Sequence, residues 1–455
     1  LDFSCALLDA AGRLVVNAPH IPVHLGALGT CVRAVAKALD LAPGDTAITN
    51  HPGFGGSHLP DITLITPVYS YAGNLLGYAA SRAHHAEIGG ICPGSMPPAA
   101  TSLAEEGVII APRLLVDAGI PRWDDLRRLL RSGPYPSRAP EDNLADLEAA
   151  LAANHRGCSH LLQLAATHGD EEVAHSMADL RQEADRGVRA ALASMPDGVY
   201  RALGRLDDGA VIEVAIEVAG ARARIDFTGS AVVHAGNLNA TPAIVQSAVV
   251  YVLRLLVEKP LPLNEGFLDP VEICLPTGIL NPPFTPAEDN PAVVGGNVET
   301  SQRVVDTLLE ALGIVAGSQG TMNNTLFGND RFGYYETICG GTGAGPGFEG
   351  AHAVHSHMTN TRITDAEVME NRYPVRTEHF GVRRGSGGDG RWHGGDGAVR
   401  ELTFLEPMTL SVLTQHRQAG PRGGDGGGDG LPGRQHVVRT DGTIQELAAI
   451  DGAEV

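Results

Sequence analysis

The chain has 455 residues, of which 43% are hydrophobic and 57 are glycine, so it can form two or three domains around a large buried core. This composition is typical of a soluble globular protein with many tight turns, and no apolar run approaches the roughly 20 residues that span a bilayer. The net charge of −20 argues against nucleic acids and anionic membrane surfaces as partners, because both attract clustered Lys and Arg.

The six cysteines are scattered along the chain and form no Cys-x-x-Cys pair. Their spacing favours neither a zinc finger nor a disulfide framework, so we expect a reduced, cytoplasmic protein. The sequence begins with "LDFSCALL", inside what the pattern predicts to be a strand. We therefore expect that an N-terminal stretch precedes this sequence in the natural protein.

Residues 1–120 are predicted to be rich in strands. The segment "DFSCALLDAAGRLVV" predicts a hairpin, because two apolar runs flank an Asp-Ala-Ala-Gly turn. Apolar residues recur at helical spacing from Leu28 to Leu39, and "APGD" ends that helix. Three further strands are predicted at Thr46–Thr49, Ile62–Tyr69 and Leu75–Ala80.

Residues 121–195 change to a composition rich in Ala, Leu, Asp, Glu and Arg, which predicts a helical insertion. Two amphipathic segments, 141–169 and 170–195, predict an antiparallel helix pair.

Residues 196–455 form a third predicted region, in which strands and helices alternate. Strands are expected at 210–220 and 222–230, and helices at Pro242–Val257 and Thr300–Val315. Glycine-dense loops and short strands follow. The predicted fold class is α+β, with Gly-rich mixed sheets, a helical insertion and a C-terminal strand-rich part in one continuous unit.

Potential metal ligands are concentrated in two short segments, "NHPGFGGSHLPD" and "SRAHHAEIGG". They are Asn50, His51, His58, Asp61, His84, His85 and Glu87. The spacing His58-x-x-Asp61 allows one turn to present an imidazole and a carboxylate to one point, and His84 could complete the set. Two histidines and one carboxylate suit a divalent first-row metal. The alternative is that these are polar loops whose histidines bond to the backbone, since no His-Glu-x-x-His motif is present.

Two other segments contain polar side chains that could contact a substrate. "HAVHSHMTNTRITD" places His355 and His357 on one face of a strand, where substrate hydrogen bonding or a structural role is favoured over a second metal half-site. "VVGGNVETSQRVVD" places Asn297 and Glu299 beside a helix start, where anions can bind. We expect Asn297, Glu299 and His357 to contact the substrate. No P-loop and no Gly-x-Ser-x-Gly motif is present, so neither an ATP site nor a serine nucleophile is predicted.

Several motifs together resemble one known family. They include "DFSCALLDAAGRLV", "GGSHLPDITLITPV", "SRAHHAEIGGICPGSMPP", "NPAVVGGNVETSQRVVD", "YYETICGGTGAGPGFEG" and "HSHMTNTRITD", which occur in one order from residue 1 to about residue 420. In this order they look like the hydantoinase B / 5-oxoprolinase family, whose relatives include the metal-binding subunit of acetone carboxylases.

The resemblance implies a division of labour between two proteins. An A-type partner with an ATP-binding fold phosphorylates the lactam oxygen, and the B-type chain then opens the ring with water. It also implies a divalent ion, such as manganese or zinc, and a hetero-oligomer in which this chain does not bind ATP.

Carried over to this sequence, the family's metal ligands are His58, Asp61 and His84. His85 and Glu87 become acid–base candidates, and His24 becomes a further neighbour. The sequence departs from the family pattern at His51 and Glu87, where relatives have aspartate.

Three functional hypotheses follow. The first is metal-assisted opening of a cyclic amide, a lactam or a hydantoin, that the A-type partner has activated. The second is carboxylation of an activated ketone, as in acetone carboxylases. The third is a structural subunit without chemistry of its own.

Overall fold

The computed structural model describes residues 2–18, 21–285 and 290–455. Within this part of the chain the largest sheet joins seven strands, and all neighbouring pairs are antiparallel. These strands are β1 (Phe3–Asp9), β2 (Leu14–Ala18), β3 (Thr46–Thr49), β4 (Asp61–Tyr69), β5 (Leu75–His84), β6 (Arg113–Asp117) and β7 (Ile120–Pro121). Their spatial order is β2-β1-β5-β4-β3-β6-β7. The predicted hairpin and the three predicted strands are confirmed.

The described residues contain eight α-helices. They are α1 (Ala27–Ala38), α2 (Leu103–Glu106), α3 (Trp123–Leu130), α4 (Pro140–His168), α5 (Asp170–Ala193), α6 (Pro242–Leu256), α7 (Ser301–Leu312) and α8 (Ala366–Arg372). The helices predicted near residues 28–39, 242–257 and 300–315 are confirmed as α1, α6 and α7. None of the described helices is long and apolar enough to cross a membrane.

The two long helices α4 and α5 are also confirmed, and they meet at Gly169. Near this corner Leu161 and Ala165 of α4 pack with Val173 and Met177 of α5. The remainder of α4 packs against β4 and β5, whereas α5 continues into the largest core cluster. The two helices therefore connect the first sheet with the later part of the chain. The boundaries 1–120, 121–195 and 196–455 stay predictions.

The later part of the chain forms smaller sheets. A four-stranded sheet has the order β11-β10-β9-β8, in which β10 and β11 are parallel. A second four-stranded sheet has the order β13-β12-β16-β19, and β14-β15 and β17-β18 form two-stranded sheets. The bounds are β8 (Gly198–Arg205), β9 (Val211–Ala219), β10 (Arg222–Asp226), β11 (Val271–Cys274), β12 (Asn324–Gly328), β13 (Gly333–Thr337), β14 (Val375–Arg383), β15 (Gly397–Phe404), β16 (Thr409–Leu413), β17 (His436–Val438), β18 (Ile444–Glu446) and β19 (Ile450–Glu454). The predicted α+β class with mixed sheets is confirmed.

One irregular element faces the first sheet. Residues Gly296–Thr300 form a π-helix that runs directly into α7. A Cβ on Gly296 would clash with the carbonyl oxygen of Asn239, so only glycine allows this close approach of two backbones. π-Helical turns are often found at functional sites, and this one places residues 297 and 299 opposite the first sheet.

Candidate metal centre

The hairpin of β4 and β5 brings three side chains to one point. Asp61 is the first residue of β4, His84 is the last residue of β5, and the two are directly paired across the strands. Side chains of directly paired residues share one face of a sheet. His58 lies in the turn before β4, where its carbonyl oxygen accepts a hydrogen bond from the Asp61 N–H. The segments from the two sequence motifs therefore do meet.

The distances between these side chains fit a metal ion. His58 Nε2 lies 3.1 Å from Asp61 Oδ1 and 3.3 Å from His84 Nδ1, and His84 Nδ1 lies 3.5 Å from the same Asp61 oxygen. Ligand atoms at about 2.1 Å from an ion, with angles between 90° and 110°, lie about 3.0 to 3.4 Å apart. Among the His, Cys, Asp and Glu side chains of the described residues, these three form the one group that is close enough to hold a metal ion. They are a set of two imidazoles and one carboxylate that a divalent ion could occupy.

The carboxylate is held from behind by two further side chains. Ser57 donates a hydrogen bond to Asp61 Oδ2, and His24 Nε2 lies 3.2 Å from the same oxygen. The other ring nitrogen of His24 lies 3.0 Å from Ser4 Oγ. Burial raises the pKa of Asp61, but the nearby His58 and His24 outweigh it and hold this pKa well below its usual range. Asp61 is therefore ionised, with Oδ1 directed toward the two imidazoles.

A wall of polar side chains from the later part of the chain faces the three ligands. Asn297 Nδ2 lies 3.1 Å from His58 Nε2, and the ring of Tyr335 stacks on His84 at 4.8 Å between centroids. The Tyr335 hydroxyl donates to Asn324 Oδ1, and Asn324 in turn donates to Glu299 Oε1. The π-helix thus brings one predicted substrate contact, Asn297, to the candidate ligands, while Glu299 is connected to them through Asn324 and Tyr335.

Two atoms of this wall and one atom of a candidate ligand have no hydrogen-bond partner among the described residues, although they are buried. They are Asn297 Oδ1, Glu299 Oε2 and His84 Nε2. Burial raises the pKa of Glu299 to about 8. Buried polar atoms without partners are costly in a folded protein, and they are typical of a surface that receives a polar ligand.

The structure does not bring His85 to this point. His85 follows the last residue of β5, and its side chain contacts α4 instead of the ligands. Its Nδ1 lies 3.3 Å from Asn143 Nδ2 of α4, and burial, with the neighbouring His84, lowers its pKa to about 4.

Glu87 also has other contacts. It accepts hydrogen bonds from the N–H groups of Gly89 and Gly94, and it forms an ion pair of 3.1 Å with Arg138. These contacts favour a role in holding the loop after β5. The acid–base roles of His85 and Glu87 stay predictions that their contacts do not support.

His357, the third predicted substrate contact, lies against α7. Its Nε2 is 3.0 Å from Asp306 Oδ1, and its Nδ1 is 3.4 Å from the Tyr251 hydroxyl. Among the described contacts none joins His357 to the three candidate ligands. The nearby His355 and His352 do not join a metal-binding group in the described part of the chain either.

The side chains of Asn50 and His51 form hydrogen bonds with the backbone. The Asn50 amide accepts from the Ile110 N–H and donates to the carbonyls of Leu59 and Val108. His51 Nδ1 accepts from the Gly53 N–H, a backbone contact that its position at the start of a short 3-10 turn requires. His51 is therefore not a ligand, and the alternative of backbone-bonded histidines holds for this residue.

Sequence reasoning missed three residues of the site. Ser57 stands next to His58 in the motif, and its short polar side chain was a usable signal. Asn324 and Tyr335 come from strands far along the chain, and no spacing in the sequence connects them to His84.

The sequence matches the family Hydantoinase B/oxoprolinase over residues 1–453. It is 45% identical over 470 residues to 5-oxoprolinase 1 of Arabidopsis thaliana, a match that covers 97% of this chain and 36% of that protein. This chain thus spans about a third of the length of this relative, at 36%.

Two solved structures have similar folds. ATP-dependent caprolactamase from Pseudomonas jessenii has a TM-score of 0.87 and 26% identity, and the match covers 100% of this chain and 82% of that chain. Nucleotide-free acetone carboxylase has a TM-score of 0.84 and 19% identity, covering 96% and 62%, which shows a shared fold alone. Together with the family match, these similarities confirm the resemblance seen in the motifs: the chain belongs to the Hydantoinase B/oxoprolinase family.

Proposed function

We propose that this chain is the hydrolytic B-type component of an ATP-dependent enzyme that opens a cyclic amide, a lactam or a hydantoin. The observation that carries the proposal is the triangle of His58, Asp61 and His84. The distances between their side-chain atoms fit the ligands of one metal ion, and buried polar atoms without hydrogen-bond partners lie beside them. A divalent ion held there, such as manganese or zinc, would polarise a carbonyl oxygen and lower the pKa of a water.

Each residue of the centre has a proposed task. His58, Asp61 and His84 hold the ion, while Ser57 and His24 keep the Asp61 carboxylate oriented. Asn297 presents a carboxamide to the substrate. Tyr335 fixes the His84 ring by stacking on it.

Glu299 is proposed to supply a proton. Its pKa of about 8, raised by burial, keeps this carboxyl protonated at neutral pH. Oε1 already accepts hydrogen bonds from the Met322 N–H and the Asn324 amide, so the proton resides on Oε2, which has no partner among the described residues. When the carbon–nitrogen bond of the ring breaks, the nitrogen needs a proton, which Glu299 Oε2 would donate.

We further propose that an A-type partner binds ATP and activates the substrate, in a hetero-oligomer with this chain. Support comes from the length of 5-oxoprolinase 1, of which this chain matches 36%, and from the ATP dependence named for the caprolactamase. The absence of a P-loop motif in the sequence agrees with this division. The six cysteines are unpaired, which favours a reduced, cytoplasmic setting.

The experiment is purification of this chain together with its A-type partner, followed by metal analysis and by ATP-dependent turnover of 5-oxoproline and hydantoin. We expect ring opening that needs ATP and stops when the metal is removed. A complex freed of metal that keeps full activity would contradict the proposal and favour a structural subunit. If labelled bicarbonate is supplied and the label appears in the product, the result would instead favour the carboxylase function.

A further inference from the structure

A large cavity lies beside α7, whose residues Arg303, Asp306 and Glu310 help to line it. The cavity has a volume of about 2240 Å³ and is also lined by glycine-rich loops from residues 313–317, 340–346, 386–397 and 420–433. Its charge differs from that of the whole chain. Nine arginines line the cavity against six Asp and Glu residues, whereas the chain carries a net charge of −20. A cationic cavity in an acidic protein is suited to an anion.

Arg303 is the residue in this cavity that most needs a ligand. It lies on α7 and is only 8% exposed, and its Nε and Nη2 have no hydrogen-bond partner among the described residues. Buried N–H groups of a guanidinium without hydrogen-bond partners are unfavourable, because they have lost their hydration and no protein acceptor replaces it.

The carboxylates that act on Arg303 have partners of their own. Asp306 Oδ1 accepts from the Ser318 N–H and faces His357, and Glu310 pairs with Arg422 at 2.7 Å. Asp207 accepts from the backbone N–H of Arg417. These three side chains, together with Glu299, lower the cost of burying the Arg303 charge, but Nε and Nη2 keep no hydrogen-bond partner among the described residues.

Gln319 is a second buried side chain without partners in this cavity. It is 7% exposed, and both Oε1 and Nε2 have no hydrogen-bond partner in the described part of the chain. The neighbouring Ser318 donates its N–H to Asp306, which lies one helical turn after Arg303 on α7. A Cβ on Gly340 would clash with Gln319 Oε1, so the glycine allows the amide to lie against the loop.

We propose that Arg303 and Gln319 form a binding site for a small oxyanion, a carboxylate or phosphate group carried by a small molecule. The guanidinium donates through Nε and Nη2, the pair of parallel donors that matches two oxygens of such a group. The Gln319 amide donates a further hydrogen bond through Nε2. Arg303 lies six residues beyond Asn297, roughly 9 Å along the helix, and four residues beyond Glu299, whose carboxyl also acts on it.

The test is binding of inorganic phosphate and, separately, of acetate to the full chain, measured by isothermal titration calorimetry and by the shift in Tm. We expect one of the two anions to bind and to raise the Tm, and the stronger one identifies the group that the site takes. In Arg303→Met we expect affinity for that anion to fall by at least about tenfold, as for loss of charge-assisted hydrogen bonds. The anion-free Tm should not fall, because the substitution removes an unpaired buried charge.

Two further variants keep the result decisive. Gln319→Met should lower the affinity for the same anion without changing the stoichiometry of binding. This variant tests the site if Arg303→Met does not fold. Arg422→Gln is the matched control, because Arg422 lines the same cavity but is exposed and paired with Glu310, and its variant should bind as the unchanged chain does. The proposal is overturned if neither anion binds the unchanged chain, or if Arg303→Met and Gln319→Met bind as tightly as Arg422→Gln.

Discussion

Asp61 uses both of its oxygens, and this explains why so few residues suffice to build the candidate centre. Oδ1 faces His58 and His84, while Oδ2 receives Ser57 and His24. The two imidazoles converge on the first oxygen only because the second oxygen is held in place. Asp61 therefore determines the geometry of the whole ligand set.

Replacing Asp61 or His58 with alanine should abolish metal binding. The remaining two side chains cannot supply the three ligands that a divalent site of this kind requires. Metal content after purification, measured by mass spectrometry, should fall from about one ion per chain to a trace. His234→Ala is the control, because His234 also faces an aspartate, Asp208, at 2.6 Å but lies outside the centre. Unchanged stoichiometry in both centre variants would end the metal assignment.

Replacing Glu299 with glutamine should reduce kcat and leave the metal content unchanged. Glutamine keeps an oxygen for the Met322 and Asn324 donors but cannot give a proton, so a loss of about 10² to 10⁴ is expected. Because burial raises the pKa of Glu299 to about 8, activity of the unchanged enzyme should fall as pH rises through about 8. The pH–rate profile of the variant should lack this decline. A variant with normal kcat would show that Glu299 only contacts the substrate or the fold.

At the scale of elements, the motifs predicted the convergence of the three candidate ligands better than the surroundings of these ligands. His58, Asp61 and His84 stand in segments whose spacing and strand ends are visible in the sequence, so their convergence could be predicted. The position of His85 could not be predicted, because its contact with Asn143 of α4 joins residues that are far apart in the sequence. The π-helix could not be predicted either, since it depends on the contact of Gly296 with a distant backbone.

The close contact between Gly296 and the backbone of Asn239 leads to a prediction for Gly296→Ala. The added methyl group would clash with the Asn239 carbonyl oxygen, so the π-helix must move and Asn297 must leave its position 3.1 Å from His58. We expect a loss of about 1 to 3 kcal/mol in the free energy of unfolding, typical of overpacking. Activity should fall sharply while the metal content persists.

Chemical denaturation, activity and metal analysis of the same preparation measure these effects. Gly198→Ala is the matched control, because a Cβ there meets no atom within 4 Å. If Gly296→Ala behaves like this control, the close approach of the two backbones has no functional importance.

At the scale of the whole molecule, Glu106 links the early and late parts of the chain. It ends α2, is fully buried, and its Oε1 accepts from the N–H groups of both Val293 and Val294 at 2.8 Å. The segment it holds leads directly into the π-helix. The sequence could not predict this link, because neither the burial of Glu106 nor its distant partners leave a local pattern.

Glu106 should make the stability of the molecule depend on pH. Burial raises its pKa to about 8 from an ordinary value of 4.5. Between these two values the folded chain keeps a proton that the unfolded chain has lost, so the free energy of unfolding falls as pH rises from 4.5 to 8 and then levels off. Glu106→Gln keeps the oxygen acceptor and removes this effect.

The measurement is chemical denaturation at pH 4 and pH 9, on either side of the window between the two pKa values. We expect Glu106→Gln to be more stable than the unchanged chain at pH 9 and similar to it at pH 4. Glu217→Gln, at an exposed position of β9, should show no such difference. Equal pH dependence with and without Glu106 would contradict the assignment.

The placement of the candidate ligands within one hairpin has a consequence for folding. His58, Asp61 and His84 close only a short loop, so little chain entropy is lost in bringing them together, and they can meet before the later part of the chain has folded. Asn297 and Tyr335 contact this hairpin from more than two hundred positions downstream, and contacts of such high sequence separation cost more chain entropy to form. An ion present during synthesis would therefore act as a nucleus for the first sheet, and the order of events would run from cation capture to completion of the catalytic surface.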